Sequence, residues 1–174
     1  MLTVETGAGL ADADALVSLA ECDAYHAARG AAAWTGDDAD KESAIRRATA
    51  HLSRSITWTG VRTHGRDQAL AWPRAGVVDG EGWGIASDEI PGEIKDACCE
   101  LALIELATPG ALSPVVTPSK AVKRRVIGPI ETEYANPLAG VNESRPESAA
   151  VMALIRPFTC SGGQSSVAGR LYRA

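Results

Sequence analysis

Apolar residues recur at three- and four-residue steps in two stretches of the chain, and each stretch predicts a helix. Ile45, Ala48, Leu52 and Ile56 share one face of a segment over residues 41–55, while Arg46, Arg47 and Arg54 point largely elsewhere. Ile94, Ala97, Cys98, Leu101 and Ile104 form the buried face of the second, the strongest pattern in the chain and the expected centre of the core. Pro91 suits its first turn, where an amide has no intrahelical partner in any case, and Pro109-Gly110 ends it. Ser18-Leu19-Ala20-Glu21 reads as a capping box, in which serine accepts from the amide three residues on and glutamate reaches back. It opens a helix that runs to Arg29 and stops at Gly30. Ser144-Arg145-Pro146-Glu147 starts a short last helix that ends near Ile155, before Pro157.

Elsewhere the period changes. Leu2-Thr3-Val4-Glu5 alternates as a short strand would, until Gly7 and Gly9 break it. Val122, Arg124 and Val126 alternate with Lys123 and Arg125; after Gly128-Pro129, Ile130, Thr132 and Tyr134 alternate with Glu131 and Glu133. This predicts a β-hairpin over about residues 121–135 with one basic and one acidic arm. Opposite charges across paired strands stabilise mildly, by ~0.2–1 kcal/mol a pair. Trp58 to Gly84 is rich in glycine and holds Pro73 and three tryptophans, Trp58, Trp72 and Trp83. It reads as a long ordered loop, of the kind that is functional or pinned by aromatic anchors. Leu112 to Ser119 is irregular, Asn136 to Arg145 is a linker, and Thr159 to Ala174 has no core pattern and is expected to be disordered alone. The fold class is mainly α: a small helical bundle with a β-hairpin over residues 1–157, and an extended C-terminal arm over 158–174.

Composition thins the expected core. Of 174 residues 45% are apolar, but much of that is alanine, the aromatic share is 5%, and Phe158 is the single phenylalanine. Burial stabilises in proportion to apolar area, so help from neighbouring subunits is expected. The net charge of −5 is unevenly spread. Nine acids stand against Arg29 and Lys41 up to Glu42, whereas Arg156, Arg170 and Arg173 follow Glu147 with no acid among them. Lys120, Lys123, Arg124 and Arg125 form a further basic cluster. Such polarity suits head-to-tail packing of identical subunits. The four cysteines contain no CxxC, which fits buried thiols in a reduced compartment. Neither a signal peptide nor a bilayer-spanning run is visible.

Candidate chemistry adds little. There is no GxSxG elbow, and His26, His51 and His64 are scattered. No HxxxH, CxxC or EF-hand spacing occurs, and Asp37-Asp38-Ala39-Asp40 is better used as a helix cap. Gly7-Ala8-Gly9 resembles half of a dinucleotide loop but reaches Asp12 at the last position. No catalytic, cofactor-binding or metal-binding residue is assigned, no cofactor is expected, and the chain reads as non-enzymatic. Two functions stay open. Lys123, Arg124 and Arg125 on a strand could follow a phosphate backbone, although Glu131 and Glu133 lie on the partner arm. Alternatively, the polar arm could order on docking to a partner, anchored by Arg170, Leu171, Tyr172 and Arg173.

Five segments together resemble one family: Val4-Glu5-Thr6-Gly7 with Leu10-Ala11-Asp12-Ala13; Val17-Ser18-Leu19-Ala20-Glu21; Gln68-Ala69-Leu70-Ala71-Trp72-Pro73-Arg74; Ile90-Pro91-Gly92-Glu93-Ile94-Lys95 with Cys99-Glu100-Leu101-Ala102; and Val122 to Tyr134 around Gly128-Pro129. They resemble the head–tail adaptor (connector) proteins of tailed bacteriophages, whose relatives are often labelled DnaT-like single-stranded-DNA-binding proteins. The resemblance implies a structural protein of the virion neck, assembled in the host cytoplasm. It implies a homo-oligomeric ring of twelve copies that docks on a portal protein, meets the next tail-side neck protein and continues the DNA channel. No membrane is involved, and contact with packaged DNA would be non-specific. Carried over residue by residue, the portal-binding arm is Phe158, Arg170, Leu171, Tyr172 and Arg173. The channel or inter-subunit hairpin is Lys123, Arg124, Arg125, Glu131 and Glu133. The alternative is a single-stranded-DNA-binding protein of a phage or prophage replication module.

Overall fold

A computed structural model describes residues 1–113 and 148–160, together with the strand backbones at 124–127 and 130–133. Along the chain come α1 (Leu19–Ala28), α2 (Asp38–Ser55), β1 (Val61–Arg62), β2 (Arg74–Ala75), α3 (Gly92–Ala107), β3 (Arg124–Ile127), β4 (Ile130–Glu133) and α4 (Ala149–Ile155). A 3-10 turn, Arg156–Phe158, continues α4. The fold is mainly helical with a small antiparallel hairpin, as the hydrophobic pattern predicts.

The helix starts follow from local chemistry. Ser18 Oγ accepts from the Glu21 amide while the Glu21 carboxylate accepts from the Ser18 amide, so the capping box is complete. Helix α2 begins ahead of Lys41, because Asp37 caps the Asp40 amide and Asp38 and Asp40 sit in the first turn. Acids are favoured there by the unpaired amides and the helix dipole. Pro91 occupies the cap of α3 itself.

Helix α3 is central, packing on both α2 and α4. Ile94, Ala97, Cys98 and Leu101 are buried as expected, and Ile104 packs at the margin of the core. Alanines supply much of the buried face: Ala44 and Ala48 from α2, Ala97 and Ala102 from α3. Two buried acids organise the turns at its edges. Glu5 accepts from the amides of Gly7, Gly9 and Leu10. Glu105 accepts from those of Gly110 and Leu112 and meets Arg47 at 2.9 Å. The Leu2–Glu5 stretch is therefore not an extended strand; a single parallel bridge joins Val4 to Ala15. Gly7 has φ +100° and lies where a Cβ would strike the Asp88 carbonyl, so that turn needs glycine.

The long loop between α2 and α3 is ordered, and aromatic rings hold most of it. Trp58 and Trp72 meet edge to face at 5.6 Å, and Trp72 and Phe158 at 5.9 Å. Trp58 Nε1 donates to the Leu52 carbonyl at the end of α2. Phe158, expected at the base of a docking arm, is in the core instead. Its carbonyl accepts from the Thr59 amide and the Cys160 amide donates to the Thr57 carbonyl, so residues 158–160 line up against 57–59. The ring that would anchor an arm fills the space beside Trp72. Trp83 breaks the expectation in the other direction: it is exposed, not an anchor.

Candidate nucleic-acid interface

The predicted hairpin forms, with Arg124 opposite Glu133, Arg125 opposite Thr132, Val126 opposite Glu131 and Ile127 opposite Ile130. This register places one arginine of the basic arm opposite an acid. Lys120, Lys123 and Tyr134 lie outside the described residues, as do Arg170, Leu171, Tyr172 and Arg173.

A second basic region emerges from the body. Arg29 pairs with Asp96, Lys41 with Asp23, Arg46 with Asp14 and Glu42, Arg47 with Glu105, and Lys95 with Glu21. Arg54, Arg62, Arg66, Arg74 and Arg156 make no ion pair among the described residues. The segment Arg54 to Val77 holds four of these arginines against one acid, Asp67. Unneutralised cations on one surface raise the local potential and draw anions to it.

Hydrogen bonds link the segments that carry these arginines. The two-residue strands β1 and β2 pair antiparallel, with Val61 opposite Ala75 and Arg62 opposite Arg74. The Ala71 amide donates to Ser53 Oγ, which ties the loop to the last turn of α2, where Arg54 is exposed. Arg66 stands exposed in the turn closed by the bond from the Asp67 amide to the His64 carbonyl. Gln68 is buried, donates to the carbonyls of Leu70 and Pro73 and accepts from the His64 amide. Arg156 is tied to this loop through the pairing of Thr59 with Phe158.

Arg74 has a different job. Its guanidinium donates to the carbonyls of Thr59, Gly60 and Ala71, clamping both sides of the loop. Burial, and then the charge of Arg62, hold its pKa below the usual arginine range. The Trp72-Pro73-Arg74 segment thus explains itself structurally; Arg54, Arg66 and Arg156 are exposed cations, while Arg62 is half-buried and donates to the Gln68 carbonyl at 3.5 Å. These arginines are not adjacent in sequence, unlike Lys123, Arg124 and Arg125, so no basic cluster marks them. The usable signal was the shortage of acids between Arg54 and Val77.

Among the described residues, the other candidate groups are already partnered. An open cleft of about 460 Å³ is lined by Asp23, His26, Trp34 and Lys41 among others. Its polar groups are already partnered. Asp23 accepts from Trp34 Nε1 at 2.7 Å and Lys41 Nζ at 3.0 Å, and His26 Nε2 lies 3.2 Å from the Cys99 carbonyl. Burial holds His26 below its ordinary pKa, so the ring is neutral. Cys22 and Cys99 are buried thiols 2.8 Å apart. Burial pushes Cys98 up to about 12, far from a reactive thiolate. No group of three His, Cys, Asp or Glu among the described residues could hold a metal ion. No helix among them is long and apolar enough to cross a membrane.

A protein-family model described as "Putative DnaT-like ssDNA binding protein" matches residues 1–174. Comparison with curated proteins and with solved structures gives no match. The match overturns the head–tail adaptor expectation: its description concerns single-stranded DNA, and nothing in it supports a neck connector, a portal-docking arm or a ring of twelve. The residues that carried the resemblance also have internal work. Trp72 and Arg74 close the long loop, and Glu5 closes the N-terminal turn.

Proposed function

The chain belongs to the DnaT-like single-stranded-DNA-binding family, and on that premise we propose that it is a non-catalytic protein that binds single-stranded DNA through phosphate contacts from its arginine-rich segments. The observation that carries this reading is the segregation of charge. The body neutralises Arg29, Lys41, Arg46, Arg47 and Lys95 with carboxylates, yet among the described residues Arg54, Arg62, Arg66 and Arg156 have none. In a chain of net charge −5, arginines left without carboxylate partners make a local positive surface that suits a polyanion. Phosphate contacts carry no base information, so binding should be sequence-tolerant and salt-dependent.

A salt titration of binding to a labelled oligo(dT) tests it. Each phosphate contact on a single strand contributes a slope of about −0.7 in log K against log salt. The Arg62→Ala/Arg66→Ala variant should bind more weakly, with a shallower slope by up to about 1.4. Arg46→Ala/Lys95→Ala should bind as the parent does. Arg124→Ala/Arg125→Ala reports whether the hairpin adds contacts of its own. A parent protein that ignores the oligonucleotide at low salt would end the reading.

A further inference from the structure

We infer that Trp83 is the base-stacking platform of the single-stranded-DNA site, an assignment that rests on the function proposed above. Trp34, Trp58 and Trp72 are each 8% exposed or less, whereas Trp83 is 72% exposed. A large apolar ring left in water forgoes much of the burial that the same residue type gains elsewhere in this chain. The backbone beneath it is firmly held. Asp79 Oδ1 accepts from the amides of Glu81 and Trp83 at 2.9 and 2.8 Å. The Asp79 amide donates to the Trp83 carbonyl at 2.9 Å, and the Ile85 amide to the Val77 carbonyl at 2.9 Å. Val78 and Gly84 form an antiparallel bridge across the turn. A ring on so fixed a turn is preorganised for a contact, and ordering it on binding costs little.

The turn continues directly from the strand that pairs with Arg62. It grows from β2, whose Arg74 pairs in register with Arg62, and Asp79 lies five residues past Arg74, at most about 18 Å of extended chain. From Val78 to Glu93 there are five acids and no Lys or Arg. Phosphates are therefore disfavoured beside the ring, so Trp83 makes only a stacking contact through its indole face, and the phosphate contacts fall to Arg62 and Arg66. Single-strand binders combine these two elements, and stacking tolerates any base because every base has a π face. Duplex DNA hides its bases in the stack, so this contact selects for single strands.

The test compares the parent protein with Trp83→Ala, Trp83→Phe and Arg62→Ala/Arg66→Ala on oligo(dT) and on an abasic oligonucleotide of the same length. Trp83→Ala should weaken oligo(dT) binding about 5- to 100-fold with an unchanged salt slope, and Trp83→Phe should recover part of it. Oligo(dT) should quench the parent's tryptophan emission, and the abasic strand should not. Normal oligo(dT) binding by Trp83→Ala, with the arginine variant impaired, would overturn the stacking role and leave the DNA reading standing. If Trp83→Ala instead lost self-association in sedimentation, Trp83 would belong to a protein contact and the inference would fall. Absence of binding by the parent would remove both readings at once.

Discussion

The two ends of α2 treat positive charge in opposite ways. Along its first turns and its middle, Lys41, Arg46 and Arg47 each meet a carboxylate, and Glu105 is buried to receive Arg47. In its last turn Arg54 meets none among the described residues, and the loop beyond adds Arg62 and Arg66 in the same condition. Charges at the first end hold helices together; charges at the second are held up by carbonyls, turns and aromatic packing that do not neutralise them. One end therefore spends its cations on structure, and the other keeps them available to a polyanion.

Several experiments would sharpen or break this contrast. Trp72→Ala should have the largest effect, because Trp72 joins Trp58 to Phe158 and underlies the arginine end. A loss of about 3–5 kcal/mol in urea unfolding is expected. Glu105→Gln should cost about 1–3 kcal/mol by the same measurement, since it removes the charge facing Arg47 and weakens the bonds from Gly110 and Leu112. His26 gives a pH signature to the ion-paired region. Its pKa is lowered from 6.5 by burial, so the unfolded chain takes up the proton first as pH falls. Stability should therefore be flat above about pH 6.5 and decline below it until the folded value is reached. Urea midpoints from pH 7.5 to 5 would show this, and His26→Gln should flatten that part of the profile. Arg46→Ala should be the mildest, about 1 kcal/mol or less for a partly exposed pair. Oligonucleotide affinity should hardly change in that variant; a large drop would erase the distinction between the two ends.

Local rules made the helices legible. Ser18 and Glu21 are three residues apart, and the α2 and α3 faces repeat within a turn, so short windows of sequence contain the whole signal. The hairpin was equally local. The roles of Glu5, Gln68 and Arg74 were not, because each polar group is satisfied by backbone atoms that only the folded loop brings near. Trp58, Trp72 and Trp83 looked alike in sequence, all in one glycine-rich loop. Their fates diverge because Phe158, far along the chain, packs against Trp72, while Asp79 holds the turn that turns Trp83 outward. The arginine group was hidden for a related reason: its members are dispersed in sequence, and only the folded loop relates Arg62 to the strand of Arg74 and residues 57–59 to 158–160.

The bond between Thr59 and Phe158 spans 99 positions. On the ribosome that interval takes about 5–20 seconds at ordinary elongation rates. Through that time Trp58 and Trp72 lack the aromatic edge that covers them, so the arginine end matures after the α1–α2–α3 body has its parts. A nascent chain halted before Phe158 should lack the ring beside Trp72 and leave the loop between α2 and α3 open.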